Sequence, residues 1–109
     1  MKIINIQIQF SRVPKLNKNG AIQLFCVFFV KSNRISEMKI IRKSEYTNIL
    51  YKASNIKELW TKLQKDIFRR HKFSPLLRQG SIVVCEGKNS WKDYLLLHHY
   101  DDNQKIDAL

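Results

Sequence analysis

The segment Ile56 to Lys72, IKELWTKLQKDIFRRHK, constrains the fold more than any other. Its apolar residues Ile56, Leu59, Trp60, Leu63, Ile67 and Phe68 recur at three-and-four spacing, which places them on one side of a 3.6-residue turn. That spacing predicts one long amphipathic helix with a buried stripe. Asn55 stands where an N-cap would, with Glu58 three residues on as in a capping box. Pro75 sets the downstream limit, because the residue before a proline is pushed out of helical conformation.

The other apolar segments lack this period and read as strands laid against the helix. Ile4 to Phe10 alternates Ile, Ile, Ile and Phe with Asn, Gln and Gln, the period-two pattern of a half-buried strand. Arg12 to Gly20 is polar and basic and ends in Asn19-Gly20, a pair that favours a hairpin turn. Ala21 to Lys31, AIQLFCVFFVK, is apolar on both alternating faces and is expected to be a central strand. Met38 to Arg42 completes an N-terminal three-stranded β-meander. Between Lys43 and Ala53 the pattern suits a helical turn as well as a strand, and a short strand over Asn48 to Lys52 is expected. Ile82 to Cys85, a turn over Glu86 to Asn89, and Trp91 to Tyr100 form a C-terminal β-hairpin. The fold class is therefore α+β: an antiparallel sheet of about five strands and one long helix.

A chain of 109 residues that is 44% hydrophobic has material for one core and too many apolar side chains for a disordered chain. Residues 1–100 are expected to form a single α+β domain. Residues 101–109, which hold Asp101, Asp102 and Asp107, form an acidic tail without periodicity that is expected to fray. Cys26 and Cys85 lie in apolar runs with no CxxC spacing, so buried free thiols are expected and no metal or other cofactor is implied. No secretory or membrane-spanning segment is visible, which points to the cytoplasm and away from a membrane partner.

The net charge is +11. Such a surplus repels itself and is usually offset by an anionic partner. Lys62, Lys65, Arg69 and Lys72 follow helical spacing on the face opposite the buried stripe, with Arg70 beside them. Arg12, Lys15 and Lys18 add a cluster in the first turn, and Lys39, Arg42 and Lys43 another. Together they are the candidate nucleic-acid-binding residues, because phosphate contacts are what surplus Lys and Arg make best. The expected function is a non-enzymatic, nucleic-acid-binding protein that contacts the backbone of RNA or DNA. The alternative is a small inhibitor or adaptor, such as one encoded by a phage or mobile element, that docks on an acidic or nucleic-acid-handling protein.

Two segments carry residue types used in catalysis. His98, His99, Tyr100, Asp101 and Asp102 bring together imidazoles and carboxylates, the groups a ribonuclease uses. Neighbouring residues on a regular strand point to opposite faces, so His98 and His99 are expected to act apart. Ser81 to Asn89, SIVVCEGKN, resembles the first motif of Toprim domains, an apolar strand ending in a metal-serving Glu-Gly pair. That family also requires an Asp-x-Asp on a later strand, and the chain offers only Asp101-Asp102. The Glu-Gly pair is therefore read as part of a hairpin turn.

Overall fold

The computed structural model describes residues 1–109. Strand β1 (Lys2–Ile8) leads through a single 3-10 turn (Phe10–Arg12) into helix α1 (Lys18–Lys31), followed by β2 (Ile35–Arg42) and β3 (Thr47–Ala53). Helix α2 (Ile56–Leu63) widens into a π-helical turn (Gln64–Arg69), and a short helix α3 (Ser74–Gly80) precedes β4 (Ser81–Gly87) and β5 (Ser90–His99). The five strands form one antiparallel sheet in the order β2-β3-β1-β4-β5. The first four strands and their two helical crossovers follow the split βαβ arrangement, and β5 extends it at one edge. The class is α+β, as the sequence indicates, but the N-terminal half is not a meander and the helical part is not one long helix.

The meander fails at Ala21 to Lys31, which is helical. The side chain of Asn17 accepts a hydrogen bond from the Gly20 amide at 2.8 Å, so Asn19 and Gly20 lie in the first helical turn and form no hairpin. The apolar run is long enough for either structure, and periodicity alone does not separate a buried strand from a helix that is apolar on most sides. Ala21, Ile22, Phe25 and Phe28 face the core. From β3 the buried Tyr51 hydroxyl donates to the Phe25 carbonyl at 2.6 Å, and burial pushes its pKa far up.

The long helix ends early for a different reason. Ile67 and Phe68 are both buried although adjacent, and the widened turn brings both inward. The fully buried Ser74 hydroxyl donates to the Ile67 carbonyl at 2.5 Å and accepts from the His71 amide at 2.9 Å. Arg78 donates to the Phe68 carbonyl. These side chains from α3 replace the next helical hydrogen bonds, so the helix stops at Arg69. Pro75 then opens α3, in the first turn where its missing N–H costs nothing.

All helices cover one face of the sheet. Ile4, Ile6 and Ile8 of the central strand, Ile49 and Tyr51 of β3, and Val83 and Cys85 of β4 are fully buried against Phe25, Leu59, Leu63 and Leu77. Trp60 is 8% exposed and meets Phe68 edge-on at 5.7 Å. Asn55 caps α2 through the Glu58 amide at 3.0 Å, while the Glu58 carboxylate pairs with Arg34 at 2.5 Å. Cys26 is half-buried on α1, Cys85 is buried in β4, and both are free.

Candidate nucleic-acid interface

Strand register divides the sheet into two ends. At one end lie the last residues of β1, β2 and β5 and the first residues of β3 and β4; this is the bend end. The β4–β5 hairpin marks the other end. Helix α1 must start at the bend end, because it finishes at Lys31 just before β2 begins at the hairpin end. Contacts agree: the Phe73 ring lies against Gly20, Gln9 donates to the Gly80 carbonyl at 2.8 Å, and the Arg12 guanidinium stacks 3.7 Å over the Tyr100 ring.

The bend end therefore gathers Arg12, Lys15 and Lys18 before α1, Arg42 and Lys43 in the β2–β3 turn, and Arg69, Arg70 and Lys72 in the helical bend. All eight are exposed. The three clusters, distant in sequence, share one end of the molecule. Lys39 does not join them; it projects from the open face of the edge strand β2, opposite Leu50. Lys62 borders a groove between α1 and the π turn together with Asp66, and Arg69 borders a different concavity toward β5. The straight ridge expected from Lys62 to Lys72 is thus broken, since the π turn changes the angular step and the chain bends after Arg69.

Of the twenty Lys and Arg side chains only Arg34 is ion-paired. Four of the nine carboxylates, those of Glu58, Glu86, Asp93 and Asp107, are occupied elsewhere. Glu86 accepts from the Ile3 amide at 2.7 Å and from the Ser90 hydroxyl at 2.5 Å, which gives this Glu-Gly segment a structural role at the hairpin end. Asp93 accepts from the Asn89 amide at 2.7 Å. Gly87 is required there, because a Cβ would collide with the Asp93 carbonyl. Asp107 accepts from the Leu96 amide and donates its own amide to the Leu96 carbonyl, both at 2.8 Å, which fastens this part of the tail along β5. Near the bend end stand Glu45, Asp101 and Asp102. Asp101 accepts from the Asn103 amide at 3.0 Å, which holds its carboxyl below the usual range.

Strand alternation places His98 and His99 on opposite faces of β5, and a β-bulge precedes His98. Val83 pairs with His98 and Val84 with Leu96, so Leu97 is the extra residue. His98 turns toward the helices: its ring lies 5.6 Å from Phe68 and its Nε2 is 3.0 Å from the Arg78 carbonyl. Burial lowers its pKa. His99 pairs across from Ile82, its ring 4.5 Å from Tyr100, and its Nδ1 accepts from the Asp101 amide at 3.0 Å. No three His, Cys, Asp or Glu side chains converge where they could share a metal ion. Among the aromatic side chains, Phe25 is in the core and Phe29 on α1 is half-buried, whereas Tyr94 is exposed and Tyr100 lies beneath Arg12.

Sequence reading missed one surface feature. Because Ala21 to Lys31 is a helix, Val27 and Val30 emerge on its outer side, 37% and 80% exposed, beside half-buried Leu24. A helical reading of the same residues would have revealed it, since a helix apolar on nearly all sides has more apolar surface than one sheet can cover. No helix is long and apolar enough to cross a membrane. Comparison with protein-family models, with curated proteins and with solved structures finds no match for this chain.

Proposed function

We infer that this protein binds nucleic acid, without catalysis, through phosphate contacts made by the bend end. One observation carries the reading: almost the whole basic surplus is unpaired, and its largest exposed concentration lies at one end of the sheet. An isolated exposed lysine is ordinary, but uncompensated guanidinium and ammonium groups from three chain segments make a field that a polyphosphate neutralises with release of its counterions. Titration of mixed-sequence RNA, single-stranded DNA and duplex DNA tests it. With about four phosphate contacts, affinity for a duplex should fall about a hundredfold between about 50 and 200 mM salt. Absence of binding at the lower salt to all three polymers would end this reading.

A second reading is favoured by the bare valines of α1. An adaptor or inhibitor that docks on a nucleic-acid-handling protein would use this apolar strip, and Val30→Glu would then abolish a stoichiometric complex while sparing nucleic-acid binding.

A further inference from the structure

Two local irregularities of the backbone border the same concavity. The π turn presents Gln64 and Arg69 to a cleft of about 210 Å³ beside α3, and the bulge at Leu97 turns His98 into it from β5. Arg78 closes the rim, and the edges of Trp60 and Phe68 line its apolar wall. π turns and bulges are each sparse, and each is enriched where a side chain must be re-aimed toward a ligand. Here both deliver polar groups to one place.

The chemistry of that place is specific. Arg69 is exposed and has no carboxylate partner, while the Arg78 guanidinium is fixed by its bond to the Phe68 carbonyl. The Nε2 of His98 faces a carbonyl oxygen and so carries the proton, leaving Nδ1 as the free ring nitrogen. Two planar guanidiniums suit the oxygens of a phosphate, and aromatic edges suit a flat apolar ring. The volume admits a phosphate and part of one base, and is too small for a duplex or a peptide helix. The cleft opens next to the bend end, since Arg69 borders both.

We propose that this cleft binds the phosphate of a single nucleotide, with Arg69 and Arg78 on the phosphate and the base against the Trp60 and Phe68 edges. The ligand is a nucleoside monophosphate unit, met either free or as the 5′-phosphorylated terminus of a strand held by the bend end. The second source rests on the nucleic-acid reading above; the first does not.

Trp91 lies outside the cleft, so a Trp91→Phe protein reports through Trp60 alone. In that background adenosine monophosphate should quench the fluorescence, with adenosine and inorganic phosphate each at least tenfold weaker. Arg69→Gln should weaken the monophosphate at least tenfold with an unchanged melting temperature, and His98→Gln should also weaken it. A 5′-phosphorylated oligonucleotide that outcompetes both its 5′-hydroxyl counterpart and the free monophosphate identifies a strand terminus; a free monophosphate that binds as well identifies a free nucleotide. Monophosphate binding no tighter than inorganic phosphate, or unaffected by Arg69→Gln, overturns the proposal. If oligonucleotides bind regardless of their 5′ end and the monophosphate does not, the cleft fails while the bend end stands. Monophosphate binding without oligonucleotide binding upholds the cleft and removes the bend end as a nucleic-acid interface.

Discussion

The two ends of the sheet differ in how their carboxylates are engaged and in how many cations stand free. At the hairpin end the carboxylates of Glu58, Glu86 and Asp93 are each engaged, by Arg34, by the Ile3 amide and Ser90, and by the Asn89 amide. At the bend end eight cations stand exposed with no ion pair among them. The difference teaches that net charge alone understates the asymmetry. A carboxylate that satisfies backbone donors belongs to the fold and is poorly placed to neutralise a distant lysine, because interactions between exposed charges fade beyond about 10 Å at ordinary salt. Folding therefore gives the protein one end whose carboxylates are tied into the fold and one end with a larger exposed concentration of cations.

The sharpest way to break this comparison is matched charge reversal. Arg12→Glu, Lys15→Glu, Arg42→Glu and Lys72→Glu combined should lower affinity for any nucleic acid by about a thousandfold and flatten its salt dependence. The same number of reversals at the hairpin end, at Lys31, Lys57, Lys88 and Lys92, changes the net charge equally and should cost about tenfold or less, because only the diffuse field is altered. Equal losses in a filter-binding or anisotropy titration would show that net charge, not its placement, governs binding.

The next effect is on stability and should run the opposite way between the ends. Glu86→Ala leaves the Ile3 amide and Ser90 hydroxyl without their partner and should cost about 1 to 3 kcal/mol in chemical denaturation, with nucleic-acid affinity nearly unchanged. Glu45→Ala, at the exposed bend end, has no such bond to lose and should cost less than about 0.5 kcal/mol.

The asymmetry is not readable from the chain, although much of the scaffold is. Helix α2 is legible because its stripe has one period and Asn55 caps it with its own side chain. The strands β1, β4 and β5 are legible from alternation and turn residues, Met38 to Arg42 marks the second half of β2, and β3 is one of the two readings that its segment allows. Helix α1 is not, because a run apolar on every side carries no period, and its start depends on Asn17, inside a segment whose Asn19-Gly20 pair favours a hairpin. The end of α2 is hidden too: Ser74 and Arg78, residues of the following helix, take over the Ile67 and Phe68 carbonyls. The eleven candidate cations are visible as clusters, and the convergence of eight of them follows from the reversal of chain direction at each successive element. A strand in place of α1 would return the chain to the same end of the sheet, so the helix alters what covers the sheet and leaves the ends of the segments where they are. His98 reads in sequence as one residue of a regular strand, and only pairing with β4 reveals the bulge at Leu97.

A smaller effect follows from His98. Burial holds its pKa below the ordinary value near 6.5, so the folded protein keeps this ring neutral where the unfolded chain has begun to protonate. The corresponding stability is complete above the unfolded pKa and is lost as pH falls from there toward the lower folded pKa. Melting temperatures measured from pH 8 to pH 5 should decline on the acid side, and His98→Gln should shallow that decline. An unchanged slope would place the acid sensitivity in other groups.

The smallest effect concerns the tail, whose carboxylates divide between the two regimes. Asp107 is bonded to Leu96 in the middle of β5, whereas Asp101 and Asp102 follow Tyr100, the ring on which Arg12 stacks. If proximity to the cationic end is what matters, Asp101→Asn with Asp102→Asn should raise nucleic-acid affinity about twofold to fivefold at low salt and have no effect near 1 M, where screening acts within about 3 Å. Asp107→Asn should leave affinity unchanged and cost at most about 1 kcal/mol, since its bonds at the exposed strand are readily replaced by water. Deleting residues 101–109 combines both losses, so it should raise affinity by the same small factor and lower the melting temperature slightly. A deletion that unfolds the protein would show that the tail belongs to the core of the fold. A deletion that weakens binding would show that the tail's own Lys105 or Gln104 contributes to the interface, which would then extend past Tyr100.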